Sequence, residues 1–175
     1  MRIIGFTGYT ASGKSTSLEF LKHKGYYIVD LGQVIRDSYE QTDLKYRMDI
    51  VSFSIDTHNN FGKLWSLSKA YIDFRGYQKV AIGGIRFAEQ ITFLKEISTS
   101  FSLIYIESSE KNRLERFLKR KRSDFSPTQF DFELKEKLEL EIWNIGDAIS
   151  QSDYIIENDS ILSDLHANLD KVISC

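Results

Sequence analysis

The chain has 175 residues, 42% of them hydrophobic and only one a proline, which is the size of one globular domain with a sizeable buried core. Its 23 Lys and Arg against 25 Asp and Glu leave a formal net charge of −2, which excludes a global basic field for nucleic acid or an anionic membrane, so any phosphate binding has to be local. The one cysteine, Cys175, has no partner within the chain, which excludes an internal disulfide framework and fits a reducing cytosolic compartment.

Strand-like sequence begins at once (residues 2–6), leaving no charged region followed by a long apolar one, and no run approaches 18 apolar residues. The expectation is a cytoplasmic protein with no membrane partner, in which the sequon at Asn158 carries no information. After the first strand comes Gly8-Tyr9-Thr10-Ala11-Ser12-Gly13-Lys14-Ser15-Thr16, leading into a helix over residues 13–23. Glycines are needed in this pattern because the loop wraps so closely around phosphate oxygens that side chains would clash, and its amides become the anion site. Lys14 would bridge the β- and γ-phosphates, Ser15 would hold Mg²⁺ through its hydroxyl, and the positive end of the helix adds to the same field. As a bare string the pattern also occurs by chance, in a glycine-containing turn before an N-capped helix. The strand before it and the helix after it are the context in which it binds phosphate. No guanine-reading Asn-Lys-x-Asp string follows, so ATP is the expected nucleotide.

A second strand at residues 26–29 leads through Asp30-Leu31-Gly32-Gln33-Val34-Ile35-Arg36 into a helix over 31–39, and Asp30 with Gln33 also reads as a capping box. Residues 41–76 carry little strand character and read as a helical insertion of about two helices, a natural place for an acceptor-binding subdomain. Its aromatic residues Phe53, Phe61, Trp65, Tyr71 and Phe74 either stack on an acceptor base or, the commoner use, pack the core. His58 reads as a turn residue beside Asn59 and Asn60, and His23 and His166 lack metal-ligand spacing. The third strand, residues 79–82, ends in Gly83-Gly84-Ile85-Arg86, which puts Arg86 just past the carboxyl end of a central strand, where open α/β sheets bind ligands.

A helix over 87–97 and a strand over 103–106 precede a helix over 111–121 whose Arg113, Arg116 and Arg120 share one face. Lys119 and Lys121 read as solvated charges at a helix end. Residues 123–129, around Pro127, are the candidate mobile connection to a long helix over 130–150. The last strand, 154–156, precedes Asn158 as a turn residue and Ser160 as the N-cap of a helix over 161–173. This alternation predicts a three-layer α/β domain with about five parallel strands.

These segments resemble, in order across most of the chain, the small P-loop nucleotide kinases: nucleoside monophosphate kinases, dephospho-coenzyme A kinases and an archaeal kinase-like group. The resemblance implies one P-loop kinase domain over 1–175, with the acceptor-binding insertion at 41–76 and a short helical lid at 113–130. It implies that Arg36 and Arg86 grip acceptor phosphate, and that Arg116 and Arg120 join Lys14 in stabilising the transferring phosphoryl group. Arg36 can equally be a surface arginine on an amphipathic helix. The chain departs from the family where an acid normally ends the third strand and helps to hold hydrated Mg²⁺, because Gly83 stands there. Asp30 is the nearest candidate to take that role, or to accept a hydroxyl proton as in dephospho-coenzyme A kinases. The expected activity is Mg-ATP-dependent phosphoryl transfer to a nucleoside-monophosphate-like acceptor. The alternatives are transfer to a ribose hydroxyl, a non-catalytic ATP-binding module, or an ATPase coupled to a partner. The oligomeric state is not legible.

Overall fold

Five short runs rich in β-branched and aromatic residues form five parallel strands in the computed structural model, which describes residues 1–120 and 127–174. They are β1 (Arg2–Thr7), β2 (Tyr27–Asp30), β3 (Lys79–Gly83), β4 (Ser100–Glu107) and β5 (Tyr154–Glu157), in the order β2-β3-β1-β4-β5. β1 lies at the centre, with Phe6 opposite Gly83 of β3 and Ile104 of β4. The chain leaves β1 toward one edge and β3 toward the other. That makes a switch point at their carboxyl ends, and the loops after both strands open side by side there.

Helices cover both faces. α1 (Lys14–His23) and α9 (Leu162–Ile173) lie on one side, where Leu18, Leu21, Leu165 and Leu169 pack on Ile4, Phe6 and Ile104. On the other side α4 (Trp65–Phe74), α5 (Ala88–Ile97) and α8 (Gly146–Ser150) bring Leu67, Phe74, Ile91, Leu94 and Ala148 against Ile3, Val80 and Ile82. α2 (Leu31–Glu40) and α3 (Ile50–Phe61) pack together after β2, and α6 (Glu110–Leu118) and α7 (Gln129–Lys137) pack on the loop after β1, with Phe117 and Phe132 against Ala11. No helix among the described residues is long and apolar enough to cross a membrane.

The insertion is helical, made of a 3₁₀ turn at Asp43–Tyr46 with α3 and α4. Its aromatic residues mostly pack: Phe53 sits between Tyr39 and Trp65, and Tyr71 meets Phe74 and Phe93 edge-on. Phe61 is exposed. His58 is not a turn residue. It lies in α3, with Nδ1 2.6 Å from the Ser54 carbonyl and its ring against Phe87, and burial lowers its pKa below the ordinary 6.5. Asn59 and Asn60 simply continue the helix to its end at Gly62.

The expected helix over 130–150 is three pieces, because a π-helical turn, Leu138–Ile142, follows α7 and Asn144 then takes a left-handed φ of 42° before α8. Ser160 does not cap α9, whose N-cap is Ile161, without a side-chain hydrogen bond. Lys121 and residues 123–126 of the expected connection lie outside the described residues, as does Cys175. Of that connection, Thr128 is described and caps α7 in a reciprocal box with Asp131.

Candidate nucleotide and acceptor site

The loop after β1 is shaped by close approaches. Gly13, at φ 119°, has no room for a side chain, because a Cβ would fall 2.2 Å from Nδ2 of Asn158. Ala11 takes a left-handed φ of 63°, an unfavourable conformation for a residue with a Cβ that the surrounding contacts hold in place. The Lys14 ammonium donates to the carbonyls of Gly8 (2.5 Å) and Tyr9 (2.7 Å). Burial draws its pKa down to about 8. Arg86 and Arg120 add to that fall, while Glu139 and Asp30 oppose it. One cation is thus held among two arginines and two carboxylates.

These groups share one cavity of about 450 Å³, whose wall includes Thr10, Ala11, Ser12, Gly13, Lys14 and Ser15 from the loop. The structure brings Asp30, Arg36, Arg86 and Arg120 to the same wall. Gly8, Tyr9, Thr16 and Arg116 are not part of it. Asp30 caps α2, accepting from the amides of Gly32 (2.9 Å) and Gln33 (3.2 Å), and its Oδ2 lies 3.7 Å from Nη2 of Arg36. Gln33 does not close the expected capping box. Its side chain instead accepts twice from Arg36 and donates to Asp37. Arg86 stacks on Trp143, with the guanidinium carbon 4.4 Å from the ring centroid.

The three arginines do not share one helical face as expected: Arg113 and Arg116 lie on α6, whose face packs down onto the loop, whereas Arg120 lies past the helix end at Leu118. Arg113 is buried, paired with Glu136 at 2.5 Å and set against Tyr9 and Phe132. Arg116 donates to the carbonyls of Ser12 and Asn158 and to Ser108 Oγ, so it fastens the outer rim of the loop rather than closing over a phosphoryl group. Only Arg120 reaches the cavity.

Four contributors escaped the sequence reading. Asn158 is 7% exposed, and its Nδ2 donates to the Ser12 carbonyl at 2.7 Å. Glu139, 2% exposed, accepts from the amide (2.7 Å) and hydroxyl (3.0 Å) of Thr10. Trp143 and Lys135 line the cavity. A polar residue directly after the last strand was a usable signal for Asn158. Glu139 had none, since in a charge-rich helical stretch it looks like a solvated face.

Gly83 lies under Leu18, whose Cδ1 would be 2.7 Å from a Cβ there, so the helix packs where the usual strand-three acid would stand. The residues present still suit Mg-ATP. The loop is narrow and rich in amides, Ser15 begins α1 at the cavity wall, and Asp30 offers a carboxylate to the same space.

No family model matches the chain. A UPF0200 protein of Sulfurisphaera tokodaii is 30% identical over 174 residues, covering 99% of this chain and 96% of the relative. The chain belongs to the UPF0200 family. A UPF0200 protein of Methanosarcina mazei is also 30% identical, over 99% of this chain and 95% of its own. Among solved structures, the UPF0200 chain superposes on a shikimate kinase from Bacteroides thetaiotaomicron with a TM-score of 0.63 at 16% identity, covering 99% and 97% of the two chains. A gluconokinase from Sinorhizobium meliloti gives 0.61 at 16% identity, covering 99% and 94%. The fold is therefore that of the P-loop kinases, an α/β sandwich around a five-stranded parallel sheet.

Proposed function

We propose that this protein is an Mg-ATP-dependent phosphotransferase acting on a small anionic acceptor. The observation that carries the reading is the single cavity in which the glycine loop and Lys14 face Arg86, Arg36 and Asp30. A site that only stored nucleotide would need the first pair and not the second group.

In this reading the loop amides and Lys14 hold the β- and γ-phosphates, and Ser15 with Asp30 would hold Mg²⁺, which would neutralise charge that builds on the phosphate oxygens. Arg86 and Arg36 grip the acceptor's anionic group, and Arg120, just past α6, and Lys135 of α7 reach the same cavity. The acceptor oxygen forms its bond to the γ-phosphorus as the bond to the β–γ bridging oxygen breaks, and ADP leaves with that oxygen. A nucleoside-monophosphate-like acceptor needs no base, because its attacking oxygen is already anionic.

A second reading, transfer to a hydroxyl with its proton passing to Asp30, draws support from two observations. Asp30 lies on the cavity wall with Oδ2 beside Arg36, and none of the insertion's six aromatic residues lies on that wall to stack a second base. The structural neighbours named as kinases of shikimate and gluconate, both hydroxy acids, fit the same reading.

ADP release from Mg-ATP, measured against nucleoside monophosphates, dephospho-coenzyme A and hydroxy acids, separates the two readings. Lys14→Ala and Arg86→Ala should each lower acceptor-dependent turnover by about a hundredfold or more. A parent protein with no acceptor-dependent ADP release would sink the phosphotransferase reading. Loss of turnover in Asp30→Asn with a hydroxyl acceptor alone would select the second.

A further inference from the structure

The π-helical turn Leu138–Ile142 presents two residues to opposite sides of the cavity. Glu139, within it, holds Thr10 of the glycine loop through both carboxylate oxygens. Trp143, immediately after it, lies beneath Arg86. The backbone between them is braced, since the amide of Trp143 donates to the carbonyl of Leu138 and that of Ile145 to the carbonyl of Glu139, both at 3.0 Å. Such widened turns are rare and concentrate at functional sites.

The two acceptor-side arginines are held in different ways. Arg36 has Nε and Nη2 on Gln33 Oε1, at 2.9 and 2.7 Å, so much of its donor fork is occupied. Arg86 is instead held against the Trp143 ring, a contact that uses none of its N–H donors and leaves them for an anion in the cavity it lines. The Trp143 Nε1 is itself buried without a hydrogen-bond partner among the described residues, which leaves the ring packed against Arg86.

We propose that this turn is a strut that positions both halves of the site, with Glu139 setting the glycine loop and Trp143 setting Arg86. A change in the loop when it takes up phosphate then reaches the acceptor arginine through one turn of backbone. Neither residue touches the reacting atoms; both are positioning residues. What Arg86 grips rests on the phosphotransferase reading, but the strut itself can be tested with nucleotide alone.

Trp65 and Trp143 are the two tryptophans, and Trp65 packs against Phe53 away from the cavity. In a Trp65→Phe protein titrated with Mg-ADP, the emission of Trp143 should change in step with binding measured by calorimetry. Adding Glu139→Ala should abolish that change at nucleotide saturation. Glu139→Gln, whose amide oxygen still accepts from the Thr10 amide, should keep it. Thr10→Val, which removes only the hydroxyl contact, should reduce it by about half and covers the case of a Glu139→Ala protein that does not fold. An undiminished change in Glu139→Ala or Thr10→Val, or no change at saturation in Trp65→Phe, overturns the strut.

With an active acceptor, Trp143→Ala should raise the acceptor KM by about tenfold while the KM for Mg-ATP stays within about twofold, and Trp143→Phe should restore most of the loss. Equal effects on both constants would also overturn it. A parent without any acceptor-dependent turnover condemns the phosphotransferase reading instead, and the emission titration still decides the strut.

Discussion

Lys14 is where the charge balance of the site can be read by titration. Its folded pKa of about 8 lies below the ordinary 10.5, so the fold favours the neutral amine. The stability this group contributes is complete above the unfolded value, falls away as pH drops toward 8, and changes no further below it. Bound phosphate acts in the opposite sense, because it favours the ammonium. Mg-ADP binding should therefore take up close to one proton at about pH 9 and almost none at about pH 7. Calorimetry in buffers of different ionisation enthalpy measures the uptake, and Lys14→Met should remove it. If the parent and Lys14→Met take up protons equally, this account of the lysine is wrong. The places of Lys14 and Arg86 on the cavity wall were legible because motif and topology together define them. Those of Glu139 and Trp143 were not, since contacts between residues far apart in the chain leave no local pattern.

Among the elements, α1 and β3 explain why the usual acid is missing. Leu18 of α1 fills the space over Gly83, so the core extends to the end of the strand. Gly83→Ala should cost about 1–3 kcal/mol in urea unfolding, and Leu18→Ala in the same chain should recover part of that loss. Purely additive costs would refute the packing argument. α6 and α7 are joined by the buried pair Arg113–Glu136, so Glu136→Leu should destabilise the protein by about 3 kcal/mol, whereas the double change Arg113→Met with Glu136→Leu should cost much less. Equal losses for the single and double changes would show that charge pairing is not what joins them. Helix periodicity revealed α6 and placed Arg113 and Arg116 on one face, but it ran the helix past its end at Leu118 to include Arg120 and could not say that the face turns inward. The long helix was misread for a related reason: amphipathic spacing carries across a π turn, and only Asn144 and Gly146 hint at the break.

At the scale of the molecule, strand alternation was enough to read the parallel sheet, whereas strand order was not in the pattern and comes from which faces pack together. That order has a consequence for how the protein is made. β1 carries the phosphate loop, yet its neighbours are β3 and β4, so its backbone has no sheet partner until the chain has been extended through Gly83 and is not flanked on both sides until Glu107. A fragment of residues 1–99, which lacks β4, should show no cooperative unfolding transition and no ADP binding; a folded, nucleotide-binding fragment would contradict this. At translation rates of about 5–20 residues per second, a nascent chain spends roughly 5–20 s with its glycine loop written but unformed. Nucleotide can therefore act as a ligand only once the chain has been extended past β4, and cannot template β1.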